Sequence, residues 1–177
     1  TSVRGGLSWN YRQGAAGTLY LHDAASGQAE LIIDNTGVDK ARAATTLLDL
    51  GEDGGLTEKL TVINANVELP AGRFGLMQSR DSHLLQTGDL NVSDLRLDDG
   101  VWSQNGFALN TDDYRFTRTT LQLSGSFNHA LNELLVDNYT VELSEDRTWQ
   151  KVRLINGGVI TTPFASESFT QGVTLTA

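Results

Sequence analysis

Apolar and polar residues alternate along this chain in short bursts. GTLYL (17–21), AELII (29–33), TTLLDL (45–50), KLTVINANVEL (59–69) and RFGLM (73–77) open the series. LLQTGDLNVSDLRL (84–97), GVWS (100–103), GFALN (106–110), YRFT (114–117), TLQLSGSF (120–127), ELLVDNYTVEL (133–143), KVRLINGGVITT (151–162) and GVTLT (172–176) continue it. A period of two over about three to six residues predicts half-buried β-strands, more than ten of them. One stretch, VDKARAATTLLDL (38–50), is also compatible with a helix capped by Asp39, although Thr45-Thr46 and the strand pattern before it argue against one.

Four bursts share a form when written above one another: LTVINANVEL, LNVSDLRLDDG, LLVDNYTVEL and VRLINGGVITT. Each is an apolar-x-apolar triplet, a few small or polar residues with Asn or Asp, and a second apolar triplet. Leu60 and Leu90, Leu134 and Val152, and Val152 and Val173 mark a drifting period of solenoid length. Hairpins at these interruptions need two successive residues with φ > 0, and only Asn156-Gly157 is the preferred pair. A corner between strands that run on without reversing needs a single left-handed residue, which Asn, Asp and Gly tolerate best. The repeat therefore predicts a parallel β-helix with corners at Asn64-Ala65-Asn66, Ser93-Asp94 and Asn156, and with Val152, Leu154 and Val159 facing inward. An antiparallel β-sandwich is the alternative if KVRLINGGVITT is a hairpin.

Composition agrees with an all-β chain: 18 glycines against two prolines, with 20% charged residues. At 177 residues one domain, spanning 1–177, suffices to bury a core without disulfides, and the absence of cysteine removes thiolate and Cys-zinc chemistry. With 13 basic and 22 acidic residues the surface repels phosphate backbones, so nucleic acid is not expected as a partner. No run reaches the roughly 18 apolar residues of a membrane helix, and no membrane insertion is expected. The chain begins at Thr1 and stops in a strand-like pattern, so we expect a fragment of a longer protein with neighbouring domains.

GAAGTLYLHDAASGQAELIIDNTG (14–37) resembles a segment of large bacterial surface and secreted proteins that precedes parallel β-helix coils, and LxVxDLxLDDGxW and LINGGVITTP look like such coils. The resemblance implies a right-handed parallel β-helix and an extracellular or cell-surface setting. It does not imply one activity, because this fold hosts polysaccharide lyases, glycoside hydrolases, adhesins and binding modules alike.

Chemistry is thinly marked. Asn110-Thr111-Asp112-Asp113 resembles the first acidic motif of polygalacturonase-type hydrolases, in which paired carboxylates supply an acid and activate water. The further Asp-Asp, Gly-His-Gly and Arg-x-Lys elements of that family are missing. Glu52, Asp53, Asp98, Asp99, Asp112 and Asp113 leave room for a structural calcium at an acidic turn, and no other cofactor is expected. His22, His83 and His129 lack metal spacing. Asn91-Val92-Ser93 and Asn138-Tyr139-Thr140 fit the glycosylation pattern and are read as corner residues. Trp9, Trp102 and Trp149, with Tyr11, Tyr20, Tyr114 and Tyr139, stand beside polar residues instead of inside apolar runs. Exposed rings of this kind stack on sugar faces while carboxylates and amides bind hydroxyls, although a tryptophan can equally cap a core. The reading that emerges is a non-catalytic carbohydrate-binding or adhesion module, contacting a polysaccharide or cell-surface glycan through Trp102, Trp149, Tyr114, Asp112 and Asp113. A polysaccharide lyase or glycoside hydrolase is the alternative.

Overall fold

Residues 16–39, 43–50, 56–129, 133–143, 149 and 151–161 are described by the computed structural model. They contain no helix and thirteen strands. These are β1 (Gly17–His22), β2 (Ala29–Asp34), β3 (Thr46–Leu47), β4 (Leu56–Ile63), β5 (Asn66–Leu69), β6 (Gly72–Gln86) and β7 (Leu90–Ser103). β8 (Leu109–Leu123), β9 (Phe127–His129), β10 (Glu133–Asp137), β11 (Thr140–Leu143), β12 (Lys151–Ile155) and β13 (Val159–Thr161) follow. No helix forms among the described residues of 38–50, in line with the argument from Thr45-Thr46 and the strand pattern, since Thr46 and Leu47 pair with Val67 and Glu68. Trp9, Tyr11, Glu52, Asp53, Asp146, Arg147, Pro163 and the GVTLT strand lie outside the described residues.

The strands stack in parallel. Leu31 pairs with Leu60, Leu60 with Met77, Met77 with Leu95 and Leu95 with Tyr114, so each strand lies one coil along from its predecessor. The chain is a parallel β-helix of about six coils. Its expected period was too long at one place: Leu60 stacks on Met77, and the coil carried by β6 lies between Leu60 and Leu90. Inward columns such as Val67, Leu84, Trp102, Leu121 and Val141 line up from coil to coil and form one continuous core. Burying a large apolar side chain contributes about 1.5–3 kcal/mol, and repetition of these columns is what holds the coils together.

Each long strand bends twice. Register passes over Gly75, Ser93 and Asp112 at one bend and over Asp81, Asp99 and Arg118 at the other, giving every coil three sides. The second bend is a column of left-handed residues: Asn64, Asp81, Asp99, Arg118, Asn138 and Asn156, with φ between 47° and 58°. Asn64 and Asn156 are corners as the sequence predicts, and Ser93-Asp94 is a corner too, but of the other kind. Left-handed backbone costs an ordinary L-residue about 1–2 kcal/mol, which explains the Asn and Asp; Arg118 is the exception and pairs with Asp98 at 2.9 Å. The third corner is held by buried glutamines. Gln86 Nε2 donates to Gly88 O at 2.9 Å and to Ala108 O at 2.7 Å, and Gln104 Oε1 accepts from Gly125 N–H at 2.9 Å.

The Asn-Gly-Gly run is a corner and not a hairpin, because β12 pairs in parallel with β10 and β13 in parallel with β11. Asn156 and Gly157 both have positive φ. A Cβ on Gly158 would stand 2.1 Å from the Val136 carbonyl oxygen of the preceding coil. The run holds three residues where the coil before has two, Asn138 and Tyr139, so the alternation is displaced by one. Val152 and Leu154 pack toward the core as expected, but Val159 is exposed and Ile160 takes the inward place.

The hairpin that does occur lies at the N-terminal end, where β1 pairs antiparallel with β2. Its turn is closed by Gly27 N–H to Asp23 O at 2.8 Å, with Gly27 at φ 73°. Asp23 accepts from Ser26 Oγ and Ala25 N–H, which lowers its carboxyl below the usual range.

Candidate functional site

One coil departs from the others in length. The inward Phe74, Val92 and Thr111 stand seven positions before the left-handed corners Asp81, Asp99 and Arg118. His129 stacks on Thr111 and Asn138 stacks on Arg118, yet they stand nine positions apart. The two extra residues cannot be taken up in a straight strand. Among the described residues no backbone pair joins β10 to β8; β10 pairs with β12 instead. The ladder resumes at the corner, where Arg118 N–H donates to Asn138 O at 3.2 Å.

Two tyrosine hydroxyls meet backbone groups that the missing ladder leaves without strand partners. Leu135 N–H donates to Tyr114 Oη at 2.8 Å, and Tyr139 Oη donates to Leu135 O. Tyr114 stacks on Phe116 with ring centroids 4.9 Å apart and meets Phe127 and His129 edge-on; Phe116 meets Tyr139 edge-on at 5.4 Å. Burial pushes the Tyr139 phenol far above its usual range. Aromatic volume thus fills the interior behind the break.

Outside, the break is a slot of about 740 Å³, with Asp113, Tyr114 and Arg115 on one wall and Asp137, Asn138 and Asn156 on the other. Asn156 Nδ2 donates to Asp137 Oδ1 at 2.7 Å, and Asp113 Oδ1 accepts from Tyr114 N–H at 2.8 Å. Both carboxylates are held in place with acceptor capacity remaining. The slot offers a half-buried ring, two acceptor groups and two amides around a space of the size that takes a small polar ligand.

Of the residues selected from sequence, Tyr114 and Asp113 meet in this slot. Asp112 lies across a corner, on a separate groove with His129 and the ladder Asn91, Asn110 and Asn128. In that ladder Asn110 Nδ2 donates to Asn91 Oδ1 at 3.0 Å and Asn128 Nδ2 to Asn110 Oδ1 at 2.7 Å. The adjacent pair Asp112-Asp113 is thereby divided between two sides. Trp102 is not exposed: it has no accessible surface, because it occupies the inward column between Leu84 and Leu121. Trp149 is half-buried against the core and does not line the slot. Arg115, Asp137, Asn138, Tyr139 and Asn156 complete the site without having been singled out as its members. The signal that finds them is an offset of nine positions between stacked residues instead of seven. No cluster of three His, Asp or Glu side chains that could hold a metal occurs among the described residues.

Comparison with protein families, with curated proteins and with solved structures finds no match for this chain.

Proposed function

We propose that this chain is a non-catalytic, extracellular carbohydrate-binding module of a longer secreted bacterial protein, of the kind that serves adhesion, and that it holds glycan in the slot between β8 and β10. The observation that carries the reading is the slot itself. A regular solenoid needs no two-residue insertion, and this one leaves a ring, carboxylates and amides around an open space. Tyr114 supplies a half-buried ring against which a sugar packs, while Asp113, Asp137, Asn138 and Asn156 supply acceptors and donors for hydroxyls. The division of Asp112 from Asp113 favours a module over the hydrolase or lyase alternative, which requires acid and base to face one scissile bond.

Affinity gels with xylan, pectin, alginate and mixed-linkage glucan test the reading. Retardation by at least one glycan is expected, weakened in Asn156→Ala and Asp113→Asn, without reducing ends or unsaturated product appearing over time. Product that accumulates with wild type and is lost in Asp113→Asn makes the protein an enzyme. Absence of retardation by every glycan overturns the reading.

A further inference from the structure

Positive charge is scarce on this chain and unevenly placed. The outer groove beside the slot, on the side formed by β4, β6, β7 and β8, is lined by Arg80, Arg96, Arg115 and Arg118 with Asp98 as its one carboxylate. Two of these arginines are neutralised. Arg96 is held by Asp94, with Nε to Oδ1 at 3.1 Å, and Arg118 by Asp98 at 2.9 Å. Arg80 and Arg115 make no ion pair among the described residues. Asp113, the nearest counterpart on its own strand, directs Oδ1 to the Tyr114 N–H.

Arg96 and Arg115 are directly paired on neighbouring strands, about 4.8 Å apart; Asp94 bonds Arg96 and the Asp113 carboxylate also acts on it, which leaves Arg115 as the member of the pair without an ion pair among the described residues. On β6 the residue in this column is Gln78; Arg80 stands two residues further along the strand, in register with Asp98 and Thr117, so it lies about 10 Å from Arg115 along the solenoid axis and is offset from it across the groove. The groove and the slot are continuous, since Arg115 and Thr117 line both. A ligand leaving the slot along the axis meets Arg115 first.

We infer that the ligand is an anionic oligosaccharide, its acidic groups carboxylate or sulfate, with one sugar in the slot and its charges on Arg115 and Arg80. The inference rests on the carbohydrate reading above and names the class of glycan. Guanidinium groups match such anions with two parallel hydrogen bonds, and Gln78 and Thr117 in the same groove provide neutral polar contacts for the sugar between them.

Calorimetric titration of the whole chain with neutral, carboxylated and sulfated oligosaccharides of matched length, at low and high salt, tests it. Charged sugars are expected to bind at least about tenfold tighter than the neutral one, a difference of about 1.4 kcal/mol, and to lose that margin at high salt. Arg80→Gln removes most of the margin between charged and neutral sugars; Arg115→Gln weakens the charged sugars further. Preference for carboxylate over sulfate, or the reverse, supports the inference and identifies the acidic group. Equal affinity for neutral and charged sugars overturns it and leaves the carbohydrate reading standing. Charged sugars that bind Arg80→Gln and Arg115→Gln as tightly as wild type also overturn it, because they then sit elsewhere. Binding of inorganic polyphosphate or single-stranded DNA without binding of any sugar overturns both.

Discussion

The coils carried by β6, β7 and β8 and the coil that follows them obey the same chemistry and differ by two residues. In the first group, inward columns repeat without interruption, and on the side holding Met77 and Leu95 the ladders run unbroken from β6 to β7 and from β7 to β8. In the second, β10 leaves that side's ladder and Tyr114 and Tyr139 bond Leu135 in place of a strand. The difference teaches that regularity builds the rod and a local failure of regularity builds a concave site on it. Residues that line one slot need not form a motif in sequence when a change of coil length assembles them.

Shortening the span between His129 and Asn138 to the common seven positions, by deleting Leu131 and Asn132, is the strongest way to break the comparison. β10 is then expected to join β8, closing the slot, and glycan retention in affinity gels falls to background while the fold persists by circular dichroism. Trp102→Ala probes the regular coils. It should cost about 3–5 kcal/mol in urea unfolding, as large-to-small core replacements do, and the folded fraction should retain glycan binding.

Tyr139→Phe acts at the irregular coil and is expected to cost about 1–3 kcal/mol, because the Leu135 carbonyl loses its donor while remaining beside the core. The same phenol gives an alkaline signature. Its raised pKa in the folded state contributes stability that is whole below the ordinary tyrosine range and declines once pH rises above it, so the difference between wild type and variant narrows in alkali. Lys59→Gln, on the regular side, should have the smallest effect. Lys59 lies 2.9 Å from Glu30 and, through that hydrogen bond first, lowers the Glu30 carboxyl. A partly exposed pair contributes about 0.5 kcal/mol; that contribution is present above the ordinary glutamate range and vanishes as pH falls through the lowered pKa, which urea midpoints across acid pH will register.

Much of the architecture is legible in the chain because parallel coils repeat one alternating pattern and mark their corners with Asn, Asp or Gly. Asn64, Asn138 and Asn156 announce themselves in this way. Asp81 and Arg118 do not, since they bend strands that read as continuous polar stretches, and the coil of β6 was consequently folded into a period that is too long. The site is less legible. Tyr114 and Asp113 were accessible to reasoning from residue type, but Trp102 follows an acidic turn exactly as an exposed ring might and is nonetheless directed inward by the bend at Asp99. Which way a side chain points depends on the parity of residues after a corner, and corners without a distinctive residue hide that parity. The same arithmetic separates Val159 from Ile160.

Backbone hydrogen bonds between coils lie along the axis of the solenoid, so they carry the load when the rod is pulled from its ends. At the break between β8 and β10 one of the three sides carries none, while the pairings of β9 and β11 with β8 keep the other two engaged. Compliance is therefore concentrated at that level, as a joint that bends toward or away from the side with the slot. Flexing of the rod and the width of the slot are one motion, which makes this coil a place where tension along the rod and the shape of the slot are mechanically linked.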